Sequence, residues 1–180
     1  MLSFAFESEK FASAVAFLVE RRPGLTKKQI CKLMYFADKE HLLRYGRTIT
    51  GDTYYALEQG PVPSRGLNAI NSRGFVPSDD DAVRAYGALD GWTFKIHRPA
   101  DLKALSRSDI AVLSDVERTL GGLPAWGLEE KSHKEPAWEK APPNGRMDFE
   151  HFFIGEPSAK LMLSILIEDQ DGEVLETLDA

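Results

Sequence analysis

The sequence predicts an α+β domain, predominantly helical, with about six or seven helices around a central buried helix and a small antiparallel β-sheet. Three observations point there. Most apolar residues recur at helical spacing behind recognisable caps, two short stretches of β-formers stand between turn residues, and Gly and Pro concentrate in one segment, residues 46–66. The chain has 180 residues, and 43% hydrophobic content is enough for one real core.

The first helix is expected from Ser8, with Phe11, Val15, Leu18 and Val19 on one face and Pro23-Gly24 as its end. Thr26 opens the second, with Gln29 three positions on in the capping-box pattern. Ile30, Leu33, Met34 and Ala37 form one stripe of that helix, while Phe36 and Leu43 lie on another. A helix apolar on several sides belongs in the middle of a core. Gly46 is placed to stop it, because glycine enters the left-handed conformation without steric cost.

Thr53 to Glu58 reads as a strand between a Gly51-Asp52 turn and a Gly60-Pro61 turn. Ser64 starts a short helix carrying Leu67 and Ile70. Residues 76–91, with Asp79, Asp80 and Asp81 in a row, show no period and read as a surface excursion. Trp92, Phe94 and Ile96 alternate with polar residues as a half-buried strand, a partner for the earlier one. Ser106 caps the next helix with Asp109 at its third position, Leu105 and Ile110 stapling it, and Ile110, Leu113, Val116 and Leu120 facing inward. Pro136 and Pro157 keep the following pieces short. Ser158 caps a last helix through Leu161, Met162, Ile165 and Leu166, leaving residues 1–168 as one domain and 169–180 as an acidic tail.

Charge and composition narrow the function. The net charge of −6 hides a gradient: residues 20–47 carry eight Lys/Arg against three Asp/Glu, and residues 148–180 carry nine Asp/Glu against Lys160 alone. Oppositely charged, solvated helix faces account for this, and so would a basic patch for an acidic partner or for phosphate. A single cysteine, Cys31, excludes an intramolecular disulfide and suggests a reducing compartment. No window approaches the ~18 apolar residues of a membrane span, and a cytoplasmic protein is expected, with no membrane partner.

Chemistry is hard to find. Neither GxGxxG nor GxxxxGK[ST] is present, no GxSxG elbow exists, and His41, His97, His133 and His151 are too dispersed for a zinc site. No cofactor, metal or catalytic residue is therefore expected, and the protein is not read as an enzyme. One polar group needs weighing: Asp38, His41 and Tyr45 share a side of the second helix near Asp52. An acid–base pair is one reading; hydrogen bonds tying the helix end to the following turn is the preferred one. His133 and Trp138 are likewise read as pinning a short irregular segment onto the core, in positions that would also suit an aromatic-rich interface.

Lys32-Leu33-Met34-Tyr35-Phe36-Ala37-Asp38, then His41 through Asp52, Tyr54 and Gly60-Pro61-Val62-Pro63 resemble the Panacea domain, also called the SocA-like antitoxin domain and often described as phage-associated. Ser132-His133-Lys134-Glu135-Pro136-Ala137-Trp138 matches a second, shorter motif, and the resemblance spans roughly residues 8 to 165. The aspartate-rich insertion after Gly74 and the acidic end after Glu168 depart from the pattern. The resemblance implies the antitoxin of a type II toxin–antitoxin system, which neutralises a cognate toxin from an adjacent gene by direct protein binding. A proteolytic adaptor that delivers its toxin to a protease is an alternative, and it implies no catalytic residues. A second alternative comes from the residues themselves. Helix, turn, helix and strand over residues 8–58 loosely suggest a winged helix, so a regulator that binds promoter DNA is also considered. Interface or motif candidates are Tyr35, Asp38, His41, Arg47, Asp52, Tyr54, Tyr55, Arg65, His133 and Trp138. Only one of Tyr54 and Tyr55 can point outward, since successive strand residues face opposite ways.

Overall fold

A computed structural model describes residues 1–178, with side-chain surroundings through Asp169. Among the described residues eight α-helices and two two-stranded antiparallel sheets surround one core. Helix α1 spans Ser8–Arg21 and α2 Lys27–Tyr45. Both are buried through their middles, Phe11 to Val19 and Ile30 to Lys39. Burial of α1 thus extends beyond the one face expected. Ala12, Ser13, Ala14 and Ala16 are small enough for neighbouring elements to close over every face.

The caps determine where these helices begin and end. Thr26 accepts from the Gln29 amide while the Gln29 side chain accepts from the Thr26 amide, the reciprocal pair the sequence predicts. Gly46 closes α2 at φ 73°, and its amide donates to Leu42. Ser8 is not a cap: Glu7 occupies that position and makes no side-chain cap bond.

The expected single sheet is instead two separate hairpins. Strand β1 (Tyr54–Leu57) pairs with β2 (Gly60–Pro63) around a Glu58-Gln59 loop, so Gly60-Pro61 begins a strand rather than making a turn. Strand β3 (Gly87–Asp90) pairs with β4 (Thr93–Ile96) around Gly91-Trp92. Trp92 therefore sits in a turn, 73% exposed, while Phe94 is buried. Each hairpin finds its missing edge partner in an irregular segment. The Ala56 amide donates to Gly145 and the Met147 amide to Tyr54, and the Phe94 amide donates to Leu25.

Helix α3 (Ser64–Ile70) follows β2 directly. Residues 76–91 are no irregular surface excursion but hold a helix and the strand β3. Helix α4 (Pro77–Arg84) forms there with Pro77 in its first turn, and Asp79 and Asp80 are buried. Asp79 takes a two-pronged bond from Arg65 at 2.7 and 2.9 Å, and Asp80 accepts from the Gly74 amide at 2.6 Å. These partners lie far enough along the chain that no local period announces them.

Helix α5 (Arg107–Leu120) carries the Ser106–Asp109 capping box and packs on α2, with Val112, Leu113 and Val116 buried and Ile110 and Leu120 only partly covered. Short helices α6 (Ala125–Ser132) and α7 (Pro136–Glu139) lead through 3-10 turns to α8 (Lys160–Leu178). Ser158 lies inside a 3-10 turn instead of capping α8, and Leu161 and Ile165 are exposed. The 168/169 boundary falls inside α8, which continues to Leu178; residues 179–180 lie outside the described residues.

Candidate functional site

Asp38 is fully buried near the end of α2 and gathers the opening of the Gly/Pro-rich segment around itself. One carboxylate oxygen accepts from the amides of Ile49 (2.7 Å) and Thr50 (2.9 Å), the other from the hydroxyls of Thr50 (2.5 Å) and Tyr54 (2.7 Å). Burial pushes its carboxyl above the ordinary range, and these four bonds pull it back only in part. With both oxygens engaged, Asp38 is an anchor for the chain that leads into β1.

Asp52 does a similar task on the other side of the hairpin. It is buried and accepts from the amides of Arg65 (3.1 Å) and Gly66 (2.7 Å) at the start of α3. Burial raises its carboxyl to about 6 against those bonds.

His41 turns away from both. Its Nδ1–H donates to the Arg47 carbonyl at 2.8 Å, a partner that can only accept, while Nε2 faces Ser108 Oγ at 2.9 Å and Asp109 at 3.1 Å. The Tyr45 ring lies against the imidazole, tilted by 40° with centroids 4.7 Å apart, but is half exposed. Arg47 donates to Asp109 at 2.8 Å and to Ser106 at 3.0 Å, knitting the loop after α2 to the cap of α5. Burial raises the Asp109 carboxyl, but hydrogen bonds from His41, the Ser106 amide and Arg47 outweigh it and hold the group well below the usual range. Asp38, His41 and Asp52 thus serve three different junctions and do not form one acid–base centre.

The remaining candidates are also placed. Tyr54 is buried and Tyr55 is the outward member of the pair. Tyr35 is buried against Tyr54 and donates to Glu135 at 3.2 Å, an acceptor shared with Lys39 at 2.6 Å. Arg65 lies over the Phe6 ring and holds Asp79. His133 stacks on Trp138 with ring centroids 4.2 Å apart, and Trp138 Nε1–H donates to Leu57 at 3.1 Å, pinning α7 to the hairpin.

The open space lies beside these residues. A groove of about 860 Å³ runs between α2 and the tip of the first hairpin, with Leu57, Val62, Leu67 and Trp92 as apolar walls and Lys27, Lys28, Lys32 and Arg73 as its cations. A smaller hollow of about 320 Å³ shares Leu57, Glu58 and Asn144 with it and ends on Trp138. Glu58, at the tip of the hairpin, lines both hollows.

Lys32, on the buried side of the groove, donates to the Pro61 carbonyl at 2.9 Å. Gly60 makes room for it: at φ +92°, a Cβ there would lie 2.9 Å from the Lys32 ammonium and 2.5 Å from Ser132 Oγ. The ten candidates from the sequence do not line the larger groove. Its cations come largely from the basic 20–47 segment, whose charge was visible but whose geometry was not.

Among the described residues no three His, Cys, Asp or Glu side chains are grouped to hold a metal ion, and no helix is long and apolar enough to cross a membrane. Residues 30–139 match the family described as antitoxin SocA-like, Panacea domain. The chain belongs to that family. Nothing matches among curated proteins or among solved structures.

Proposed function

We propose that this Panacea-domain chain is the antitoxin of a type II toxin–antitoxin pair and neutralises its toxin by binding the toxin protein directly. The observation that carries this reading is how the family-matched segment is built. The polar groups of Asp38, Asp52 and Tyr54 are spent on holding the β1–β2 hairpin, and that stiffened hairpin borders an open groove. A surface fixed before contact loses little conformational entropy on association. Tyr55, Trp92 and Arg73 stand exposed around the hairpin as anchors of the kind that dominate interfaces.

Promoter binding through a winged helix fits less well, because α2, the helix that would enter the major groove, is buried from Ile30 to Lys39. The experiment is co-expression with the protein encoded by the adjacent gene. The antitoxin reading expects that neighbour to arrest growth alone, to be harmless with this chain, and to co-purify with it at stoichiometric amounts. Unrelieved toxicity with no complex recovered contradicts it. Rescue that depends on a host protease, with no lasting complex, would favour the adaptor role instead.

A further inference from the structure

We infer that the groove between α2 and the first hairpin receives an acidic segment of the toxin, with one of its carboxylates meeting the Lys32 ammonium. The inference rests on the antitoxin reading and assigns the contact surface and the chemistry of what fills it.

Two observations carry it. The first is Lys32 itself. Its side chain is 3% exposed, yet its hydrogen bond goes to a neutral carbonyl, and no ion pair to it forms among the described residues. A buried ammonium with one neutral acceptor has given up water for no ion pair, and Glu129 supports it only from beyond ion-pair distance. Burial accordingly lowers Lys32 to about 8, so at neutral pH the group is still mostly protonated. A carboxylate arriving through the groove would restore the missing interaction.

The second is the excess of positive charge along the groove. Elsewhere Arg22 is held by Glu117, Lys39 by Glu135, Arg44 by Asp115, Arg47 by Asp109 and Arg65 by Asp79. Around the groove Lys27 reaches only the neutral Asn71 and the Trp92 ring, Arg73 forms no ion pair among the described residues, and Lys28 approaches Glu129 at 3.7 Å. In a chain of net charge −6, this apolar-walled cleft brings four cations, Lys27, Lys28, Lys32 and Arg73, together against one lining carboxylate, that of Glu58. Apolar walls with basic groups suit a peptide that alternates apolar and acidic side chains. A long polyanion would instead meet the acidic surface of the rest of the chain.

The test uses the full chain and the purified toxin from the adjacent gene, with affinities measured for wild type, Lys32→Met and Arg73→Gln at two salt concentrations. Lys32→Met is expected to weaken binding about tenfold or more, as loss of one side of a buried charge pair does. Its unfolding midpoint should not fall, because an apolar group of similar shape replaces a poorly compensated charge. Arg73→Gln, on the surface, should weaken binding about threefold and flatten its salt dependence. Toxin binding by wild type that both variants retain in full overturns the groove assignment and leaves the antitoxin reading standing. Absence of any wild-type complex overturns both. A labelled single-stranded oligonucleotide is the control probe. If it binds wild type and is lost in the two variants while toxin affinity is unchanged, the groove is a nucleic-acid site and the proposal fails.

Discussion

Replacing Asp38 tests the scaffold most sharply. Asp38→Ala would leave the amides of Ile49 and Thr50 and the hydroxyls of Thr50 and Tyr54 without their acceptor in a buried place. An unpaired buried donor costs about 1–3 kcal/mol. Four at the low end come to about 4 kcal/mol, the low end being apt because water can enter the vacated space and the cost of burying the carboxylate is relieved. That is a large share of the about 5–15 kcal/mol that holds a domain folded. Asp38→Asn keeps one oxygen for the two amides and forces the two hydroxyls to turn and accept, so about 1–2 kcal/mol is expected. Tyr54→Phe removes a single bond to a charged group, about 1.5–3 kcal/mol. Urea unfolding followed by circular dichroism reads all three, with unchanged m-values showing that stability alone has moved. An Asp38→Ala variant within about 1 kcal/mol of wild type would refute the anchoring role. So would Asp38→Asn with wild-type stability and no toxin neutralisation, since that result would point to chemistry at the carboxyl.

Other consequences can be checked with the same material. Asp52 is raised to about 6 in the folded chain, above its ordinary 3.8, so between about pH 4 and 6 the folded form holds a proton that the unfolded form has lost. Its contribution to stability is therefore greatest below about pH 4 and is lost as pH rises through 6, by at most about 3 kcal/mol, and Asp52→Asn should remove that slope from the pH–stability curve. Thr26→Ala and Ser106→Ala each break a capping box and should each cost about 1 kcal/mol in thermal or urea unfolding, additively because the caps belong to different helices. Burial raises the Cys31 thiol to about 12, so labelling by a thiol reagent near pH 8 should track unfolding; rapid labelling of native protein would show the thiol exposed.

Local chemistry made much of this molecule readable in advance. Thr26 with Gln29 and Ser106 with Asp109 signal helix starts through bonds that close within four residues, and both form as expected. The apolar character of α2 on several sides marked it as central. Asp38 and Trp138 proved to be structural ties, as their surroundings in the chain suggested. What escaped depends on contacts distant in sequence. The burial of Asp79 requires Arg65, and the pairing of β1 is completed by residues 144–147 rather than by β4. Pro77-Ser78 ahead of three acids is a pattern that starts helices, but the missing apolar period hid it. The groove could not be read from positions alone, because Lys32 and Arg73 meet only after α2, the hairpin and α3 have packed.

Hydrogen exchange on the chain, free and bound to the toxin from the adjacent gene, addresses the whole account at once. Protection gathered on Lys27–Lys32, Leu57–Val62 and the Arg73 and Trp92 turns, with α8 unchanged, is the predicted footprint. Protection confined to α8 or α1, with the hairpin exchanging as in the free chain, would contradict it.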